Sequence, residues 1–267
     1  VGAAPAAVRA AAAAGLVRAQ TPAAPRRALD EICALAIDDD EAFEIDDALS
    51  VDSSGDVWVH IVDVGAALQR LPDHVGAALH VSAHRRAIST YLPTGTWPMF
   101  PPSVVLGLMS LRADGDGRAA EVTHPNPALS VRLRFADDGA IAEHEVVPAS
   151  LRPVSRLTYA AVDAVLDGDA AAMSDAGEPT CEVISRLYAA ADRRAAYRAS
   201  RGATMVRLPK SHITVERGGS APPGKRALPT LHVRPQRANR ARRLVEELMI
   251  AAAEAVRHAA MPRCSDE

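Results

Sequence analysis

Aromatic residues make up only 3% of this sequence: two Trp, four Tyr and three Phe. Any function that stacks rings therefore has few candidates, among them Tyr91, Trp97 and Tyr159. Cysteine is as scarce. Cys33, Cys181 and Cys264 are odd in number and far apart, which excludes a disulfide framework and a paired-cysteine metal site. A reducing compartment follows from that usage. No apolar run approaches the roughly 18 residues that span a bilayer, so no membrane partner is expected. The Walker-type phosphate loop and the nucleophile-elbow pattern are both missing, so no nucleotide cofactor is expected. Internal repeats are missing too. Residues 1–29 hold no acid and no apolar stripe, and read as an Ala/Pro/Arg-rich leader or linker rather than a secretory signal.

What remains is an ordinary globular composition. Apolar residues are 48% and charged residues 24% of 267, enough apolar surface to offset ordering entropy. The net charge of −3 says little, but its distribution is uneven. No Arg or Lys lies between Arg27 and Arg70, where nine acids from Asp30 to Asp47 fall. Arginines crowd the segment from Arg193 to Arg263. An acidic pole suits cations and a basic pole suits phosphates. Both also suit water, as solvated faces.

Val57–Val64 is almost continuously apolar and predicts a strand buried on both faces. Gly65–Arg86 reads as helix broken at Pro72, and residues 91–102 as a proline-rich loop. Asp137-Asp138-Gly139 between two apolar runs predicts a hairpin. Helical spacing covers Leu157–Leu166 and Thr180–Ser200, with Gly202 as a C-cap. Short strands are expected at Met205–Leu208 and Ile213–Val215, with a loop at Gly218–Lys225. The helix Ala238–Ala260 carries a stripe of Leu244, Leu248, Ala251, Ala252 and Val256. The fold class is α/β in the mixed α+β sense, with a mixed, largely antiparallel sheet surrounded by helices. A core domain over 30–260 follows the leader, and residues 261–267 form a tail.

The chemistry concentrates between Ala36 and Leu49. Asp38, Glu44, Asp46 and Asp47 lie between two short apolar stretches that anchor them as strand ends. Clustered carboxylates repel one another, so such a loop stays in water or binds a cation. Oxygen ligands suit Mg²⁺, which keeps waters and meets phosphates. An EF-hand is excluded, because Phe43 stands where its turn glycine is required, counting from Asp38. His60 and Asp63 lie in an apolar strand and read as structural partners. Trp97 and Phe100 read as core. Of Glu246 and Glu247, one is expected to face the site and the other to pair with Arg242 or Arg243. Arg193, Arg194, Arg198 and Arg201 read as one helix face, suited to water or to a phosphate backbone.

Ile37-Asp38, Glu44-Ile45-Asp46-Asp47-Ala48-Leu49-Ser50 and Val59-His60-Ile61-Val62-Asp63-Val64 together resemble the catalytic signature of the ribonuclease II family, the RNB domain. Ser89-Thr90-Tyr91-Leu92-Pro93, Pro98-Met99-Phe100-Pro101, Met109-Ser110-Leu111, Arg156-Leu157-Thr158-Tyr159 and Arg243–Ile250 continue the likeness in order. Glu44-Ile45-Asp46-Asp47 and Pro98-Met99-Phe100-Pro101 lean to the cyanobacterial and plastid branch. The resemblance implies a 3′-to-5′ exoribonuclease that hydrolyses single-stranded RNA to nucleoside 5′-monophosphates with Mg²⁺, or Mn²⁺ in its place. It implies metal ligation by Asp38, Glu44, Asp46 and Asp47, with Asp46 the acid most critical to hydrolysis. Glu44 stands where most of the family has aspartate. Tyr159 matches a base-stacking aromatic; Tyr91 and Arg156 are the further RNA-binding candidates, with packing in the proline-rich loop the alternative for Tyr91.

The family's later His-Phe-Gly and Thr-Ser-Pro-Ile-Arg-Arg-Tyr patterns occur nowhere in this sequence. The domain is therefore expected to be incomplete at its C-terminal end, without the arginines that meet the scissile phosphate. The alternative to an active enzyme is an impaired RNA-binding or regulatory protein, or a fragment of a larger ribonuclease; a third expectation is a fragment that does not fold alone. A bacterial cytoplasm fits the chain, as does a plastid or mitochondrial matrix; secretion does not.

Overall fold

The computed structural model describes residues 25–40, 42, 44–69, 71–111, 126–204, 210–216, 229–236 and 239–260. In chain order the strands are Arg27–Ala28 (β1), Leu35–Asp38 (β2), Asp47–Val51 (β3), Val57–Val62 (β4), Thr90–Leu92 (β5), Gly95–Trp97 (β6), Asn126–Phe135 (β7), Ile141–Leu151 (β8), Ser155–Thr158 (β9), Lys210–Glu216 (β10) and Thr230–Gln236 (β11). The helices are Val64–Gln69 (α1), Asp73–Arg86 (α2), Pro102–Leu108 (α3), Tyr159–Leu166 (α4), Ala170–Ala176 (α5), Glu178–Ser200 (α6) and Arg240–Ala260 (α7).

The apolar run that predicted a doubly buried strand is β4, the middle of a seven-stranded sheet ordered β1-β8-β7-β4-β3-β2-β9. Only Ile61 of its six residues is exposed. Neighbours pair antiparallel except at the two edges, where β1 joins β8 and β9 joins β2 in parallel. The mixed, largely antiparallel sheet expected from the sequence is therefore present. Helices α4, α6 and α7 cover one face. Leu35, Leu49, Val59 and Leu133 of the sheet meet Val162, Leu187, Leu244 and Leu248 there, all buried. Trp58, Ala128, Ala149 and Leu151 pack on the other face. A satellite core joins α1, α2 and α3 through Leu71, Val75, Leu79 and Val104.

β7 and β8 form the anticipated hairpin. Gly139 takes φ 89°, and its N–H donates to Ala136 O at 2.9 Å. A side chain there would run into the Arg193 carbonyl of α6, so both backbone conformation and close approach require glycine. Gly202 follows α6 with φ 87°, the left-handed C-cap that was expected.

Several expectations change. Leu157 and Thr158 are strand, not helix, because β9 pairs with β2 and the Thr158 hydroxyl caps α4 by accepting from Ala161 N at 3.1 Å. Helix α5 was not anticipated. The proline-rich segment opens with the β5–β6 hairpin, and Trp97 is exposed rather than core, since among the described residues no layer covers that hairpin. On α7 the inward stripe is Leu244, Leu248, Ala251, Ala252 and Ala255, while Val256 is exposed. Ile213–Val215 lies inside β10. Met205–Leu208, Gly218–Lys225, residues 1–24 and the tail lie outside the described residues. Among the described residues no helix is long and apolar enough to cross a membrane.

Candidate active site

β2 runs antiparallel to β3, and Leu35 faces Leu49 across the pair. Asp38, the last residue of β2, and Asp47, the first of β3, therefore emerge at the same end of the sheet. Asp46 extends that strand: its carbonyl accepts from Val62 N at 2.9 Å. Ile45 is buried and pinned twice. Its N–H donates to Ser110 Oγ and its carbonyl accepts from Leu111 N, both at 2.8 Å. The segment Met109-Ser110-Leu111 thus fixes the acidic loop, a role its sequence did not reveal.

The far side of the loop is held by side chains. Arg156 donates to the carbonyls of Ala42 and, at 3.5 Å, Asp40. Arg242 of α7 pairs with Asp39 at 2.7 Å. That bond makes Asp39 more than a solvated loop residue. Tyr91, exposed on β5, donates its phenol to Glu44 Oε1 at 3.0 Å. Tyr159 opens α4 directly after Thr158, the residue that pairs with Asp38. The guanidinium carbon of Arg242 lies 4.2 Å from the centre of the Tyr159 ring. The sequence alone offers Arg242 only as a partner for Glu246 or Glu247.

The electrostatics record uncompensated negative charge. Burial, then Glu44 and Asp38, push Asp46 up to about 6, although one side of the residue stays open to solvent. Burial, then Asp38 and Asp46, push Asp47 up to about 6. Asp38 is raised by burial, against the pull of Arg156 and Arg242. Burial also pushes the Tyr159 phenol up to about 12, and Asp38 and Asp47 add to that rise. Carboxylates that raise one another in this way gain from a cation between them. All four donors are hard oxygens, the set that suits Mg²⁺. Among the described residues no three acids, imidazoles or thiols already close on a point as a metal cage. Mg²⁺ does not require one: one or two carboxylates suffice when waters and phosphates complete the shell.

Residues outside this cluster have other work. His60 is buried between Ser50 Oγ and Ser130 Oγ, each 2.8 Å from a ring nitrogen, and burial pushes it down to about 3. Asp63 pairs with Arg26 at 2.6 Å and accepts from Ala66 N at the start of α1. Both are structural, as read. Glu247 is buried and pairs with Arg198 of α6 at 2.8 Å, not with Arg242 or Arg243, and Glu246 is exposed. Arg194 is buried too, bonded to Gly139 O at 3.1 Å and to Glu254. Arg194 and Arg198, two of the four arginines expected on one helix face, are therefore packing and pairing residues.

Residues 26–261 match the family model described as RNB domain. An "Uncharacterized ribonuclease" of Synechocystis sp. is 32% identical over 222 residues, 82% of this chain and 28% of that protein. "Ribonuclease II, chloroplastic/mitochondrial" of Arabidopsis thaliana is 33% identical over 225 residues, 83% of this chain and 25% of that protein. These two fit the lean to the cyanobacterial and plastid branch. The chain spans about a quarter of the length of these relatives. Mycoplasma genitalium RNase R, solved with ribose-methylated single-stranded RNA, shares the fold with a TM-score of 0.76 at 19% identity, over 97% of this chain and 37% of that one.

Proposed function

Because the chain belongs to the RNB-domain family of ribonuclease II, we propose that it forms catalytic machinery of a divalent-metal-dependent 3′-to-5′ exoribonuclease acting on single-stranded RNA. Hydrolysis of the last P–O3′ bond releases a nucleoside 5′-monophosphate and leaves a new 3′ hydroxyl. The observation that carries this reading is the placement of Asp38, Asp46 and Asp47 at one end of the sheet, where Tyr159 follows Thr158, the register partner of Asp38.

Asp38, Glu44, Asp46 and Asp47 are the residues that would hold Mg²⁺, or Mn²⁺. When bound, such a cation supplies an activated water at neutral pH and offsets charge on the phosphodiester. Asp46 is the acid on which hydrolysis depends most. Tyr91 orients Glu44 through its phenol. Arg156 and the Ile45–Ser110 bond hold the loop backbone, so the acids keep their spacing. Tyr159 offers a ring to a base near the 3′ end, a contact that tolerates any sequence because every base has a π-face. A bacterial cytoplasm or a plastid or mitochondrial matrix is the setting this reading implies, supported by the organelle name of the Arabidopsis relative.

A gel tests it: 5′-labelled single-stranded RNA with Mg²⁺ or EDTA, using this chain and its Asp46→Asn variant. The expected result is a Mg²⁺-dependent ladder shortening from the 3′ end, lost in the variant while RNA binding persists. Intact RNA from a folded wild type, or full turnover by Asp46→Asn, overturns the reading.

A further inference from the structure

The start of α7 carries a residue to which the catalytic reading gives no part. Arg242 is mostly enclosed, and its guanidinium does two things at once. Nη2 pairs with Asp39 on the acidic loop at 2.7 Å. The central carbon sits over the Tyr159 ring at 4.2 Å. Nε is buried and has no hydrogen-bond acceptor among the described residues, a cost that only a compensating contact offsets. The electron-rich face of a ring is such a contact for a guanidinium. Nor is the arrangement a loose surface encounter. The N–H of Arg242 donates to Asn239 Oδ1, and that of Ala241 to Asp163 Oδ1, both at 2.8 Å. Asp163 belongs to α4, the helix that Tyr159 begins. The two helix starts are thereby fixed to each other.

A planar guanidinium stacked on a ring takes up that face. Tyr159 is half-buried against the main core, so with Arg242 on one face a nucleobase can meet only what remains exposed of the ring. We propose that Arg242 is a positioning residue: it closes one face of Tyr159, leaves the exposed remainder for a base near the RNA 3′ end, and through Asp39 ties that ring to the acidic loop. This inference rests on the RNA-hydrolysing reading of the site. Lysine at 242 keeps the charge but has no plane to stack, which separates stacking from simple attraction to phosphate.

The test compares two 5′-fluorescein 12-nucleotide RNAs, bound in EDTA and followed by anisotropy. One is natural, and the other has abasic sites at its three 3′-terminal positions. Wild type is expected to prefer the natural RNA about tenfold, the scale of a base–aromatic stack. Arg242→Met and Arg242→Lys are each expected to lose most of that preference. In a Tyr159→Ala background, Arg242→Met is expected to change it no further. Asp39→Asn, a surface change that leaves the stack, is expected to lose part of it, and an unchanged preference there removes the tie to the loop. Equal losses for both RNAs, losses that add in the double variant, a preference retained by Arg242→Lys, or a wild type without preference each overturn the proposal. Hydrolysis of the same preparations in Mg²⁺ separates the two readings. Base preference without a metal-dependent ladder sinks the exoribonuclease and leaves the role of Arg242 standing; a ladder without base preference does the reverse.

Discussion

The Tyr91 phenol reaches Glu44 Oε1 across 3.0 Å and so ties the β5–β6 hairpin to the acidic loop. The ring itself is 65% exposed, so the bond adds little to folding, on the order of 0.5 kcal/mol. Its effect belongs to the carboxylate it orients. Tyr91→Phe is expected to raise the Mg²⁺ concentration for half-maximal hydrolysis about tenfold, as losing a ligand's supporting partner commonly does. The melting temperature should stay within about 2 °C. A Mg²⁺ titration of wild type and variant checks this, and an unchanged requirement removes Tyr91 from the site.

Asp47 gives a pH prediction whose sign follows from its raised pKa, about 6 against an ordinary 3.8. The folded chain holds that proton more tightly than the unfolded chain does. The stability this contributes is whole below about pH 4 and lost as pH rises through about 6. In EDTA at pH 7.5, Asp47→Asn should therefore melt higher than wild type, by an amount equivalent to about 1 kcal/mol once solvent screening is counted. At pH 4 the two should coincide. Added Mg²⁺ should raise wild type and leave the variant behind. Identical melting at pH 7.5 in EDTA would show that neither burial nor the neighbouring acids strain the Asp47 carboxylate.

His60 predicts the opposite slope. Burial holds its imidazole at about 3, against 6.5 in an open chain. The stability tied to its neutral form is complete above about pH 6.5 and falls as pH drops toward 3. In Mg²⁺, unfolding free energy by urea should decline by up to about 1.4 kcal/mol per pH unit across that window from this group alone. His60→Asn should flatten that component. Parallel profiles for the two proteins would show that the imidazole is not held neutral.

Arg194 and Gly139 lock α6 to the β7–β8 turn. Arg194→Met strands the Gly139 carbonyl and the Glu254 carboxylate, though Glu254 can turn to water. A loss of about 2 kcal/mol is expected, less than for a fully buried pair. Gly139→Ala combines φ 89° with a clash at the Arg193 carbonyl, and should cost at least about 2 kcal/mol. Urea midpoints read both, and a shift under half of either value would mean the turn and helix separate freely.

What the sequence made legible was local. Asp38 to Asp47 could be read because a dense run of acids between apolar stretches is conspicuous in one dimension, and the Asp137-Asp138-Gly139 turn because its chemistry is confined to three residues. Arg242 was not legible as a partner of Asp39, since that pair spans 203 positions and exists only through packing of α7 beside α4. Arg194 could have been found. It shares the helical stripe of Ile184, Leu187 and Ala191, all buried, but its charge argued for the surface. Trp97 misled for the converse reason: a large ring suggests a core, yet a two-stranded hairpin has no second layer to bury it. Thr158 carried its own signal, a hydroxyl three residues before Ala161, which marks a helix start more reliably than the apolar spacing that placed it two residues early.

The parallel pairing of β9 with β2 has a metric consequence. Leu35 to Asp38 lie beside Ser155 to Thr158 in unbroken register, so the ring at 159 stands one residue beyond the acid at 38. A slip of one residue would move the start of α4 by about 3.3 Å along the edge and turn the side chains of Ser155–Thr158 to the other face of the sheet. No intermediate setting exists. The sheet edge is a ruler graduated in residues, and the reach from residue 159 to the acids changes with it only in whole graduations.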